Sequence, residues 1–366
     1  MEPMNYLTVR QFCTQLFARR PDRRIAITFV AVMHRGDYRP LLLSVSFLVA
    51  IVIVICSTSG CGSRYEAPIY RIGLGPWIGF GPFYLAEEMG FFKEAGVRVQ
   101  PIVITGIAER NSALKSGRID ALAAPVDYFV LSAGNRLQTT MVMAIDESVG
   151  GDGILAKRTI ARFEDLRGKR VAFQRGLPSE FFLRVMLDYH GMGLDDVDAV
   201  DMETAQAGAS FIANHLDAAV LWEPWLTKAR ERTDAHLLAS TKDHPALIMD
   251  VLAFTKSAVS RAPQDVQAIV NAVLKAIDYW KLHPDRANTL MAPHFQVDKQ
   301  KYAEILSGLR FCDLSVNRQY FGVEETAGLI FSVTERASSI WLSANTIVAH
   351  VKPDSVISSD FVRNAR

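Results

Sequence analysis

The chain has 366 residues, 40 Lys plus Arg against 39 Asp plus Glu, and 49% apolar content with 10% aromatics. That much apolar side chain fills the core of one or two ordinary domains, which excludes intrinsic disorder and collagen-like repetition. A net charge of +1 leaves no broad positive field, which argues against a nucleic-acid binder.

In chain order, Arg10, Arg19, Arg20, Arg23, Arg24, Arg35 and Arg39 precede one long apolar run, LLLSVSFLVAIVIVIC at residues 41–56. The run ends in Ser57-Thr58-Ser59-Gly60 before Cys61, the three-part plan of a secretory signal. Cysteine directly after Ser-Gly resembles a bacterial lipobox. The resemblance implies removal of residues 1–60, lipidation of Cys61 and a membrane-anchored protein outside the cytoplasm, although Thr58 stands where leucine is usual. The competing reading is an uncleaved anchor, for which the run is short. Met33-His34-Arg35 gives a signal of ordinary length, so Met33 is the expected start. Residues 61–67 then form a lipidated tether. From Cys61 onward only Cys61 and Cys312 remain, so no internal disulfide is expected and Cys312 reads as a small buried side chain.

Residues 69–74 read as a strand that runs into Gly75-Pro76-Trp77-Ile78-Gly79-Phe80-Gly81. Pro82 opens a helix over 82–89 and Gly90 suits its left-handed end. A strand at 97–104, a helix at 107–116, a short buried strand at 120–124 and a helical segment at 126–132 follow. The same plan recurs with a strand at 169–174, a turn at 175–178 and a helix capped by Ser179, in which Phe182, Val185, Met186 and Tyr189 keep helical spacing. A strand at 197–202, a helix at 205–214 and a strand at 217–221 lead to Trp222-Glu223-Pro224-Trp225.

SGRIDALAAPVDYFVLSAG and ANHLDAAVLWEPWLTKA share helix, Asp-Ala, short apolar strand, then helix. The expected fold class is therefore α/β with two lobes and a ligand cleft beyond the carboxyl ends of the strands. Residues 141–154 and 247–254 read as strands crossing between lobes. That places lobe 1 at 68–148 and 250–345, with lobe 2 inserted at 149–249. Val266, Ile269, Val270, Val273, Ile277 and Trp280 mark a long helix stopped by His283-Pro284. The tail at 346–366 has no such pattern and is expected to be loosely ordered.

The chain contains no G-x-S-x-G, H-E-x-x-H, Walker A or G-x-G-x-x-G motif, and its histidines are scattered, so neither a metal nor a cofactor is expected. The reading narrows to binding by groups at strand ends: Trp77, Phe80, Asp127, Asp152, Ser179, Glu180, Trp222, Glu223 and Asp250. Each has a plainer alternative. Glu223 can cap its own helix, Asp127 can start one, and Asp146 and Asp152 can pin a Gly-Gly turn. Trp77 and Trp222 stand in matching loops of opposite halves, where aromatic walls remove apolar or cationic ligand parts from water. Helix starts at Pro82 and Ser179, with Arg175, favour an anion; the carboxylates favour an amine, a guanidinium or a quaternary ammonium group.

PWIGFGPFYLAEEMGFFKEAG, SGRIDALAAPVDY, DESVGGDGILAK, FEDLRGKRVAFQRG and LDAAVLWEPW, in this order, resemble the ABC-transporter substrate-binding proteins for nitrate, sulfonates and taurine, which are related to thiamine-precursor-binding proteins. The resemblance implies a type II periplasmic-binding-protein fold. It also implies a monomer that captures a small polar or nitrogen-containing solute and delivers it to a permease driven by a separate ATPase. Two alternatives stand beside it: a ligand-sensing ectodomain on the same fold, and a pyrimidine synthase. The synthase would be expected to carry a cysteine-rich motif that this chain lacks.

Overall fold

A computed structural model describes residues 68–323 and 328–366. The signal-like run, Cys61 and the tether lie outside the described residues. Strand β1 (Ile69–Leu74) alternates exposed and buried positions before its last three residues go fully inside. It pairs in parallel with β2 (Arg98–Val103) and β3 (Ala121–Pro125). β4 (Thr139–Ser148) and β10 (Met249–Thr255) run antiparallel to each other, β10 also pairs with β3, and the short β11 (Leu309–Phe311) edges β4. The first sheet is thus ordered β11-β4-β10-β3-β1-β2.

The second sheet is ordered β7-β6-β8-β5-β9. β6 (Arg170–Phe173), β7 (Asp198–Asp201) and β8 (Ala218–Trp222) are parallel, while β5 (Asp152–Lys157) pairs antiparallel with both β8 and β9 (Ala235–Ser240). The chain passes between sheets at residues 149–151 and again at 241–248. The expected strand over 141–154 is therefore two strands broken at Gly150-Gly151, where Gly150 adopts a φ of 127° that a side chain would oppose.

Helices fill the faces because their apolar positions recur at helical spacing. Those that position the site are α1 (Gly81–Glu88), α2 (Ile107–Lys115), α3 (Val126–Gly134) and α4 (Pro178–Tyr189). The long α5 (Pro263–Leu282) buries Val266, Ile269, Val270, Val273 and Ile277 and ends before His283-Pro284. α6 (Leu329–Ser343) packs along α3.

The tail differs from expectation. Ile347, Val351, Phe361 and Val362 are buried. Met141 N–H donates to Val356 O at 2.7 Å and its carbonyl accepts from Ser358 N–H at 3.0 Å. Single apolar anchors and backbone bonds to β4 hold this segment, neither of which leaves a periodic pattern in sequence.

Candidate functional site

A cavity lies between the two sheets, with about 450 Å³ of open space including its mouth. The first sheet's side contributes Trp77, Phe80, Arg110 and Asp250, and the second contributes Asp152 and Trp222. Trp77 and Phe80 come from the loop after β1. Trp222 ends β8 and Asp152 begins β5, and the two are direct partners in the ladder, so their side chains share one sheet face. Its enclosed part is about 50 Å³, below the size of an ordinary small-molecule site, so the sheets must part to admit a solute between these apolar walls and their few polar groups.

Those polar groups are mostly acids. Asp250 is paired across the β4–β10 ladder with Asp146 and across the β3–β10 ladder with Pro125. Asp146 accepts from Trp77 Nε1 at 3.0 Å. One oxygen each of Asp127, Asp146 and Asp152 is buried without a hydrogen-bond partner. Burial pushes the carboxyl of Asp127 up to about 8 and those of Asp146 and Asp152 up to about 7. Burial first, then Asp146 and Asp152, raises that of Asp250 well above the ordinary range. Neighbouring carboxylates at such spacing cannot all ionise. The opposing charge is Arg110, 4% exposed, whose Nε–H donates to Ile104 O at 2.8 Å.

The crossing segments are tied together beside the cavity. Thr241 Oγ1 lies 2.8 Å from Ser148 Oγ, accepts from Gly150 N–H at 2.9 Å and donates to Asp152 O at 3.2 Å. Val149 and Gly151 N–H both donate to Gly308 O, at 2.8 and 2.9 Å. One hydroxyl and one carbonyl thus hold the segment between sheets.

The sequence candidates separate into two groups. Trp77, Phe80, Asp152, Trp222 and Asp250 line the cavity together. Asp127, in the first turn of α3, is buried close enough to Asp152 and Asp250 to influence their charge. Ser179, Glu180 and Glu223 are engaged elsewhere. Ser179 does not cap α4; Leu177 precedes it and Pro178 fills its first position. The Ser179 hydroxyl instead accepts from Gln174 N–H at 2.9 Å and donates to Gln174 O at 3.2 Å. Glu180 accepts from Arg184 Nη2 at 2.8 Å and Gly176 N–H at 2.7 Å. Glu223 accepts from Thr227 N–H at 3.1 Å and Thr227 Oγ1 at 2.7 Å, the helix-start role weighed for it.

Arg110, Asp146 and Thr241 are cavity or hinge groups that the candidates did not include. Arg110 sits mid-helix in a sequence that looks like any solvated face, Asp146 reads as a turn residue, and Thr241 has no motif at all. For Arg110 the available signal was an unusual one: α2 turns this cation inward while its neighbours Glu109 and Lys115 stay exposed.

A Brucella abortus relative, named only as a binding protein, is 23% identical over 272 residues, covering 73% of this chain and 81% of the relative. The 4-amino-5-hydroxymethyl-2-methylpyrimidine phosphate synthase of Aspergillus parasiticus is 26% identical over 223 residues, 56% of this chain and 64% of that one. In fold, the crystal structure of the periplasmic aliphatic sulphonate binding protein of Escherichia coli matches with a TM-score of 0.66 at 16% identity. That match spans 80% of this chain and 93% of the other. The family model described as NMT1/THI5 like matches residues 77–287. The chain belongs to the NMT1/THI5-like family.

Proposed function

We propose that this protein is the extracytoplasmic solute-binding component of an ABC importer, capturing a small polar organic solute between its two sheets. The observation that carries the reading is a cavity walled from both sides, Trp77 and Asp250 facing Asp152 and Trp222, between sheets joined through short crossing segments. A solute that touches both walls does so only when they are close, so its extra affinity for that arrangement drives closure. The closed form is then the one that a permease, with its separate ATPase, would recognise. The sulphonate-binding protein of like fold supports the solute class and the compartment.

The direct test is a thermal-shift screen against taurine, alkanesulfonates, nitrate, small carboxylates, amines, guanidine and pyrimidines. A stabiliser of the wild-type protein that fails on Trp77→Ala and Trp222→Ala is the expected result. Stabilisation that survives both substitutions would move the site elsewhere. The solute is expected back unchanged after incubation. A product of altered mass would favour the second reading, an enzyme on this fold, which the synthase likeness supports.

Lipidation of Cys61 is part of the same proposal. Cys61→Ser is expected to release the protein from the membrane fraction, and a Cys61→Ser protein that stays there would favour an uncleaved anchor.

A further inference from the structure

We propose that the cavity is built for an organic cation, with Asp152 as its counter-ion on one wall and Asp250 on the other; this inference rests on the solute-binding reading above. Asp152 is 4% exposed and Asp250 3% exposed, yet both line the cavity. Asp152 Oδ2 has no hydrogen-bond partner. A buried polar atom without a partner is costly, and Asp152 is one of the residues that line the cavity. The second, independent observation is aromatic. Trp222 stands beside Asp152 in the ladder and Trp77 lines the opposite side, which is the arrangement that attracts a cation to indole faces.

Charge decides between ligand classes. Asp127, Asp146, Asp152 and Asp250 are all buried around this space, and Arg110 is the buried cation set against them. Two helix starts reach the wall: α4 through Pro178, whose ring nitrogen carries no N–H, and α3 through Pro125, with the acid Asp127 in its first turn to oppose an anion. An anionic solute would bring a further negative charge into an acidic, low-dielectric pocket. A neutral one would leave the acids crowded against one another. A cation with several N–H donors relieves both: it supplies donors to the Asp152 and Asp250 carboxyls that line the cavity and lets a carboxylate ionise. A flat amidinium or guanidinium adds a match to the two oxygens of a carboxylate and stacks between indoles.

Because burial holds the Asp146 and Asp152 carboxyls near neutrality at about 7, capture of a cation displaces protons. The titratable and charged groups facing these carboxyls are Asp127 from α3, Asp146 from β4, Asp152 from β5, Asp250 from β10 and Glu223 after β8, with Arg110 from α2 as a fixed positive charge. Glu180 beside Asp127 and Glu147 beside Asp146 add negative charge to the set, and burial, then Asp146, raises the hydroxyl of Tyr302.

Benzamidinium, benzamide and benzenesulfonate share one ring and differ in charge, so calorimetric titration of the full chain with each isolates the sign of the preference. Benzamidinium is expected to bind about tenfold or more tightly than benzamide, with benzenesulfonate weakest. Titrations in two buffers of different ionisation enthalpy are expected to show proton release on benzamidinium binding. Asp152→Asn is expected to abolish the preference for cation over neutral ligand while melting cooperatively. Should Asp152→Asn not fold, the wild-type series and its proton count decide alone.

Benzenesulfonate binding as tightly as benzamidinium would overturn the cation assignment, and so would binding without proton release, or no binding of benzamidinium at millimolar concentration. The first outcome would leave solute capture standing. Solute capture itself falls only if the wider thermal-shift screen returns no stabilising ligand at all.

Discussion

The indole N–H of Trp77 donates to Asp146 Oδ1 at 3.0 Å, joining the aromatic wall of the cavity to the strand that leads into the first crossing between sheets. The contact is possible because residue 79 is glycine. A Cβ there would collide with both Asp146 Oδ2 and Trp77 Nε1. Gly79→Ala is therefore expected to displace Trp77 and lower stability by about 1–3 kcal/mol, read as a reduced urea midpoint with altered tryptophan emission. A Gly79→Ala protein with unchanged midpoint and emission would show that this approach is not confining.

Trp222 is half-buried, faces the cavity and packs only at the margin of the core, so it can act as an anchor while carrying a smaller share of the packing than an enclosed side chain. Trp222→Ala is expected to weaken solute binding by about 2 kcal/mol or more with little change in unfolding free energy. Calorimetry and chemical denaturation on the same preparation separate the two effects, and a large loss of stability with unchanged affinity would make Trp222 a packing residue.

The acidic cluster sets a pH dependence of known sign. The carboxyls of Asp127, Asp146 and Asp152 are raised from 3.8 to about 8, 7 and 7, so between about pH 4 and 8 the folded protein holds protons that the unfolded chain releases. Their contribution to stability is complete below the unfolded value and is lost as pH rises through the folded ones. The melting temperature of the solute-free protein is expected to fall between pH 5 and pH 8.5, and Asp152→Asn to flatten that fall. Equal slopes for the two proteins would remove Asp152 from the cluster.

Glu147 stabilises the other side of the crossing. It is fully buried, accepts from Ala246 N–H at 2.6 Å and from Tyr320 Oη–H at 2.5 Å, and pairs with Arg310. Arg310 is half-exposed and regains water if released, so Glu147→Gln is expected to cost about 2 kcal/mol rather than the full price of a buried pair. Denaturant unfolding measures it, and a change below about 0.5 kcal/mol would show that the pair contributes little.

Periodicity made the strand–helix alternation legible, because Ile69–Leu74 and Pro263–Leu282 each bury one pattern of apolar side chains. The two halves were legible because β3 and β8 each follow a helix and start at an Asp-Ala pair. Trp77 follows β1 and Trp222 ends β8, strands that do not correspond, so residue type rather than repetition pointed to the aromatic pair. β9 and β11 were not, since β9 is only partly buried and β11 is three residues long. Arg110 and Thr241 were hidden because their roles depend on partners far along the chain. Thr241 Oγ1 meets Gly150 across 91 residues, a distance that no local pattern encodes. Ser179, Glu180 and Glu223 show the reverse: residue type and position at a helix start suggested a ligand role, while nearby backbone and side-chain groups already occupy them.

Closure on the solute makes the protein more compact, and small-angle scattering of the full chain reads that change. Scattering is measured without solute and at saturation with whichever member of the screen raises the melting temperature most. A smaller radius of gyration is expected at saturation, with the change lost in Trp222→Ala. An unchanged radius with a saturating binder, or a screen in which nothing raises the melting temperature, would contradict capture by closure.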